Sequence, residues 1–178
     1  MARGFKIVSK YAQAGLTIPY RTTKKAAGYD FEAAVDFTLP SIWKFNFIKV
    51  LWQLRHGETS SATDLDAAAK TLKPFLVPTG IKAYMNDDEY LMIANRSSNP
   101  LKRGLILPNG IGVIDADYYD NDNNEGEIFI QLINMGIRDV HIKKGERIGQ
   151  GIFTQYLIAT DEAEIKTTRA GGFGSSGK

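Results

Sequence analysis

The chain has 178 residues, of which 43% are hydrophobic and 24% charged, so it suits one globular domain with a buried core. Its formal net charge of +2 at pH 7 gives no global electrostatic reason to expect a nucleic-acid partner, although a phosphate site needs only a few converging cations. Because there is no cysteine, disulfides and thiolate catalysis are excluded, and the two histidines, His56 and His141, lack the spacing of metal ligands.

No targeting or membrane-spanning segment is predicted. The N-terminus lacks the long apolar core of a signal peptide. The most hydrophobic stretch, residues 42–54, contains Lys44 and Lys49 and is shorter than the roughly 20 residues that cross a bilayer. We therefore expect a soluble, cytoplasmic protein with no membrane partner.

Short β-prone segments separated by turn residues dominate the chain. Valine, isoleucine, phenylalanine and tyrosine recur in these segments, and glycine, proline, asparagine or aspartate bound them. Strands are predicted at residues 5–9, 29–34, 81–84, 89–94, 105–107, 112–118, 127–134, 140–142 and 147–156. This spacing, without an alternating helical pattern, predicts an all-β sandwich or barrel in a single domain spanning residues 1–178.

Residues 41–73 interrupt this pattern because they are helix-prone. Ser41 is predicted to cap a first helix that ends near Gly57, and Thr63 to cap a second helix over residues 64–72, with Pro74 just beyond it. The first helix carries more aromatic residues than a surface helix needs unless one face is covered. We interpret the segment as a helical insertion between two strands, serving either as a packing element or as a surface for a protein partner.

Residues 109–118 combine a turn signal with chemically useful side chains. The Pro-Asn-Gly turn at 108–110, followed by alternating apolar residues, predicts a β-hairpin whose strand buries Val113. Its rim would carry Asp115, Asp117 and Tyr118, with both aspartates on one strand face. A carboxylate beside an aromatic ring suits a small planar ligand held by backbone groups.

The polar run at residues 119–125 follows at once. Asp120, Asp122 and Asn124 mimic the start of a calcium loop, but Glu125 and Gln131 occupy the positions that require glycine and glutamate. We interpret the run as a polar hairpin tip. The Gly- and Ser-rich residues 169–178 are predicted to be a flexible arm, either a disordered terminus or a flap that closes over a ligand.

Five segments, in this order, resemble the signature motifs of the trimeric dUTP pyrophosphatases (dUTPases). They are Ala-Gly-Tyr-Asp-Phe at 27–31, Asn-Arg-Ser-Ser at 95–98, Asn-Gly-Ile-Gly-Val-Ile-Asp-Ala-Asp-Tyr at 109–118, Gly-Glu-Arg-Ile-Gly-Gln at 145–150 and Arg-Ala-Gly-Gly-Phe-Gly-Ser-Ser-Gly at 169–177. Four features depart from the family pattern: Phe31 replaces leucine, Asn95 replaces proline, one residue rather than two separates Arg169 from Gly171, and the run at 119–125 stands where most members have one or two residues.

The resemblance implies a fold, a reaction and an assembly. The fold would be a jelly-roll-like β barrel or sandwich, and the reaction would convert dUTP and water to dUMP and pyrophosphate. The protein would be a homotrimer with active sites shared between subunits. Mg²⁺ would be held mainly by the substrate phosphates, with Asp30 in its outer shell through water.

The resemblance also assigns roles to individual residues. Asp115 would activate the attacking water, with Gln150 contacting the water or the phosphates, and Arg147 would be structural, paired with a buried carboxylate. Asn109 would read the uracil edge, Tyr118 would pack on the deoxyribose and Phe173 would stack on uracil. The residues implied in substrate binding are Arg96, Ser97, Ser98, Asn109, Val113, Ile114, Tyr118, Arg169, Phe173, Gly174 and Ser175.

Two alternatives to a dUTPase stay open at this stage. A dCTP deaminase would share the fold, but the strand at 127–132 offers no good counterpart to its catalytic glutamate. A nucleotide-sensing regulatory protein would instead use the 41–73 insertion to dock a partner.

Overall fold

The computed structural model describes residues 2–163, where strands predominate over helices. In chain order the elements are β1 (Gly4–Ile7), β2 (Tyr29–Glu32), β3 (Phe37–Leu39), α1 (Phe45–Arg55), α2 (Ala62–Thr71), β4 (Phe75–Pro78), β5 (Ile81–Tyr84), β6 (Glu89–Ala94), β7 (Leu105–Ile106), β8 (Gly112–Asp115), β9 (Phe129–Asn134), β10 (Val140–Ile142) and β11 (Arg147–Gln155). Short 3₁₀ turns at Ser9–Tyr11 and Ala116–Tyr118 and a π-helical turn at Asn99–Arg103 complete the chain trace. The all-β class is therefore confirmed. The arm predicted at 169–178 lies outside the described residues.

The strands form antiparallel sheets around one core. The largest sheet has the order β2-β11-β6-β8, a second has the order β4-β9-β7, and β1 pairs with β5 as β10 does with β3. Alternate residues of the strands point inward, as in β6 and β9, where every second side chain is buried. The fully buried residues of the core include Phe31, Leu91 and Ile148 from the first sheet and Val77, Ile130 and Leu132 from the second.

The predicted β-hairpin around Asn109 is wrong. The Asn-Gly turn exists, since Gly110 N donates to Leu107 O (3.1 Å) and Gly110 has a φ of 70°. However, β7 pairs with β9 and β8 pairs with β6, so the turn carries the chain from one sheet to the other. β7 has only two residues, and both of them pair with β9.

Strand ends and two short strands also differ from the prediction. β8 stops at Asp115, and Ala116–Tyr118 turns into a 3₁₀ conformation. β3 and β4, which were not predicted, have only three and four residues and lie beside prolines, so they show little periodicity.

Two helices lie between β3 and β4, where the sequence predicts a helical insertion. Gly57, with a φ of 69°, follows the end of α1 as predicted. Both predicted caps are wrong: Ser41 Oγ donates to Gly136 O, far from the start of α1, and Ser61 rather than Thr63 caps α2 by accepting from Asp64 N (3.1 Å). Ser, Thr and Asp all favour the cap position, so the pattern allowed either start.

Hydrogen bonds join the first residues of the insertion to the segment between β9 and β10. Asp139 accepts from Ser41 N (2.9 Å) and from Lys44 Nζ (3.1 Å), and Trp43 Nε1 donates to Met135 O (3.0 Å). The two helices bury Val50 and Ala68, whereas Ile48, Leu51 and Trp52 on α1 are exposed. Within residues 2–163, no helix is long and apolar enough to cross a membrane.

Candidate active site

A buried carboxylate organises the first group of candidate residues. Asp30, in β2, accepts Arg96 Nε at 2.9 Å on Oδ1, and Arg147 NH1 at 3.1 Å together with Thr22 Oγ1 at 2.9 Å on Oδ2. Asp30 is buried, whereas the Arg96 and Arg147 side chains are partly exposed. The two guanidinium groups therefore compensate the charge of the carboxylate that fixes their positions.

The sheet order explains why these residues meet. In β11, Gln150 lies opposite Asp30 of β2 on one side and opposite Ala94 of β6 on the other. Arg96 follows Ala94 by two residues, and Gln150 Nε2 donates to Asn95 O at 3.2 Å. Three motifs that are far apart in the sequence thus converge across β2, β11 and the end of β6.

Gly28 allows the close approach of β11 to the start of β2. A Cβ atom at this position would lie 2.5 Å from Gln150 Oε1, well inside van der Waals contact. The glycine of the Ala-Gly-Tyr-Asp segment therefore leaves room for the Gln150 side chain.

Two asparagines in the same region were missed by the sequence analysis. Asn95 and Asn99 are joined side chain to side chain, with Asn99 Nδ2 donating to Asn95 Oδ1 at 2.8 Å. The sequence signal that could have found them is the asparagine at position 95, where the resembling motif has proline.

The second group of candidates lies on β8 and the loops that flank it. Asn109 is exposed in the turn before β8, and Asp115 ends the strand opposite Tyr90 of β6. The prediction that Val113 is buried is wrong, because Val113 is 53% exposed, whereas Ile114 packs against the core. Successive side chains of a strand point to opposite faces, so one of these two neighbours must face outward. Ile114 is the one that packs against the core.

Asp117 and Tyr118 are placed by the 3₁₀ turn rather than by strand alternation. The prediction that Asp117 shares a strand face with Asp115 is therefore wrong. The Tyr118 ring is buried, its hydroxyl donates to Glu127 O (3.0 Å), and Asn124 Nδ2 donates to that hydroxyl (2.8 Å). A contact with a sugar would have to use the small exposed part of the ring.

A single chain does not bring the two groups together. Gln150 pairs with Ala94 at one end of β6, and Asp115 pairs with Tyr90 near the other end. Four residues of strand separate these positions by about 13 Å, and β6 itself lies between Gln150 and Asp115. The remaining candidates, Arg169, Phe173, Gly174 and Ser175, lie outside the described residues.

Comparison with known proteins identifies the family of this chain. The family model described as dUTPase matches residues 58–177, which is more than half of the chain. The chain belongs to the dUTPase family. A deoxyuridine 5'-triphosphate nucleotidohydrolase of Lactococcus lactis subsp. lactis is 45% identical over 176 residues, covering 98% of this chain and 97% of the relative.

Solved dUTPase structures share the fold of this dUTPase. The Streptococcus mutans dUTPase is 38% identical, covers 88% of this chain and 98% of its own, and has a TM-score of 0.67. A variant dUTPase from phage phi11 of S. aureus, described with a structural Mg(II) ion, is 13% identical with a TM-score of 0.60, covering 94% and 98% of the two chains. The predicted family and its jelly-roll-like fold are therefore confirmed.

Proposed function

We propose that this dUTPase hydrolyses dUTP to dUMP and pyrophosphate as a homotrimer, with each active site assembled from more than one subunit. The observation that carries this proposal is the convergence of Asp30, Arg96 and Gln150 from three motifs across β2, β11 and the end of β6. The relative from Lactococcus lactis, which carries the name of this activity over nearly its whole length, supports the same reaction. The separation of Asp115 from Gln150 within one chain supports a shared site, since another subunit would supply the missing half.

The group around Asp30 is proposed to bind phosphates. Arg96 uses Nε for Asp30 and NH1 for Arg147 O, at 3.4 Å, so we assign a phosphate contact to its NH2 donor. Ser97 is exposed beside it and Ser98 is half-buried, so their hydroxyl and N–H groups can hold neighbouring phosphate oxygens. Gln150 is proposed to contact the phosphates or the attacking water.

The β8 group is proposed to hold the nucleoside and the base catalyst. β8 is the edge strand of the largest sheet, so the side of its backbone that faces away from β6 can read a uracil edge. Asn109 lies in the turn that leads into this edge, and the backbone of Val113 and Ile114 forms part of it. Asp115 is proposed to take a proton from the attacking water as it adds to the α-phosphorus.

The remaining substrate contacts are proposals from the motif resemblance. Tyr118 would limit the space at the sugar. Phe173 would stack on uracil while Arg169, Gly174 and Ser175 wrap the phosphates, closing the site to bulk water.

Magnesium fits this site through the substrate rather than through a protein cage. Among the residues that the structure describes, no group of three or more histidine, cysteine, aspartate or glutamate side chains could hold a metal ion. Both Asp30 oxygens accept hydrogen bonds from cations or a hydroxyl, so direct ligation would displace an arginine, whereas Oδ1 retains a lone pair for a metal-bound water. Mg²⁺ held by the triphosphate would neutralise its charge. The phi11 phage dUTPase variant is described with a structural Mg(II) ion, so the fold accommodates this metal.

The test is pyrophosphate release from dUTP, dCTP, dTTP and UTP, each with Mg²⁺ and with a chelator. We expect Mg²⁺-dependent release from dUTP alone, whereas ammonia release from dCTP would support a deaminase.

Asp115→Asn should lower kcat at least ~100-fold while retaining nucleotide binding, because general base catalysis contributes about 10²–10⁴-fold. Asp117→Asn is the matched control and should retain most turnover. Equal turnover in the wild type and Asp115→Asn would disprove the assignment of the base.

A second proposed role is partner docking at the 41–73 insertion. It is favoured by the exposed apolar side chains of Ile48, Leu51 and Trp52, at 49%, 45% and 54%, on successive turns of α1. The variant Leu51→Glu should keep both the trimer and turnover if this face serves an external protein. Dissociation of the variant in light scattering would instead show that the face packs between subunits.

A further inference from the structure

A network of side-chain amides surrounds the segment that carries Arg96 and Ser97. Asn99 is 1% exposed, and its Nδ2 donates both to Asn95 Oδ1 (2.8 Å) and to Ile148 O in β11 (2.9 Å). Asn95 in turn donates from Nδ2 to Leu105 O in β7 (3.0 Å). The two asparagines therefore join the end of β6 to β7 and β11.

The orientation of the Asn99 amide is fixed by its partners. Both groups near Nδ2 are acceptors, so a flipped amide would place its oxygen against two other oxygens. In the observed orientation Asn99 Oδ1 is buried and has no hydrogen-bond partner within residues 2–163. A buried acceptor without a partner is costly, so a residue chosen for stability alone would be apolar here. The two hydrogen bonds that Asn99 Nδ2 donates therefore explain why an asparagine occupies this position.

Hydrogen bonds of the network restrain the backbone at both ends of the segment 95–99. Asn99 N donates to Arg96 O at 3.0 Å, and Asn95 O accepts Gln150 Nε2 at 3.2 Å, so the backbone is held on each side of Ser97. The resembling motif has proline at position 95, which restrains the backbone through its ring. In this chain hydrogen bonds from two asparagines provide the restraint that proline gives elsewhere.

We propose that Asn95 and Asn99 are positioning residues that hold Arg96 and Ser97 in the geometry that binds the triphosphate. This inference rests on the proposed function of the same site. Neither asparagine touches substrate in the proposal; both act through the segment that they restrain. Losing the network should therefore weaken triphosphate binding more than it weakens nucleoside binding.

The experiment compares the Kd of α,β-imido-dUTP, a triphosphate that resists hydrolysis, with the Kd of dUMP by calorimetry. In Asn99→Leu and Asn95→Ala we expect the Kd of the triphosphate to rise at least tenfold, while that of dUMP changes less than threefold. Asn134→Leu is the matched control, because Asn134 is also 1% exposed and its Nδ2 donates to Leu39 O and Arg138 O at the base of the insertion. The control should lose thermal stability without changing the ratio of the two Kd values.

The outcomes separate this inference from the proposed function. A wild-type protein that releases no pyrophosphate from dUTP would disprove the proposed function itself. An active wild type with an unchanged Kd ratio in both asparagine variants would overturn the positioning role, as would an equal weakening of both ligands. If Asn99→Leu does not fold, the measurement on Asn95→Ala decides, because Asn95 is only half-buried.

Discussion

Replacing Asp30 by asparagine removes the negative charge that holds Arg96 and Arg147 together. Breaking a buried ion pair by removing one partner costs about 3–5 kcal/mol. Here the Arg96 and Arg147 side chains are 22% and 38% exposed, so solvent offsets part of that cost. Asparagine also keeps one oxygen as an acceptor for a guanidinium. We therefore expect a loss of about 2 kcal/mol, which is roughly a 30-fold change in the unfolding equilibrium.

The assay is urea unfolding at a fixed protomer concentration, because dissociation of a trimer makes stability depend on concentration. Pyrophosphate release is measured in parallel over a series of Mg²⁺ concentrations. Displacement of the arginines should also lower the turnover of Asp30→Asn, and we expect this loss to persist at high Mg²⁺. Asp66→Asn, an exposed position on α2, is the control and should stay within about 0.5 kcal/mol of the wild type. Recovery of turnover at high Mg²⁺, with unchanged stability, would refute the ion-pair role and leave the contact with a metal-bound water as the role of Asp30.

Three further predictions concern single side chains. Ser61→Ala removes the oxygen that accepts from Asp64 N, so it should destabilise the insertion by about 1 kcal/mol, seen as faster amide exchange there with unchanged turnover. Burial raises the pKa of Glu127 from 4.5, so the folded protein binds the proton more tightly and wild-type stability should fall as the pH rises from 4.5 through the folded pKa. Glu127→Gln should flatten this fall in urea midpoints measured across that pH range, and an identical slope in the variant would contradict the assignment. Gly28→Ala places a Cβ 2.5 Å from Gln150 Oε1, so it should displace this side chain and raise KM for dUTP with little loss of stability; an unchanged KM would argue against a substrate role for Gln150.

Local pattern was sufficient for much of the fold and for the identity of the candidate residues. Alternating apolar residues bounded by turn residues predicted β5, β6 and β10 with their observed bounds, because a strand with one buried face imposes a period of two on its sequence. The Gly57 stop of α1 was predictable because a left-handed residue after a helix favours glycine. The motif residues could be found because their order and spacing are properties of the chain itself.

Only the tertiary structure decided which strands pair and which faces are covered. The turn at Asn109 and Gly110 is local, but the partners of β7 and β8 belong to two different sheets, so their choice depends on packing of the whole core. The same packing turned Val113 outward. The contacts of Asp30 with Arg96, and of Asn99 with Ile148, join residues that are far apart in the chain. Such contacts form only when β2, β6 and β11 are already side by side, and the spacing of residues along a chain does not specify that arrangement.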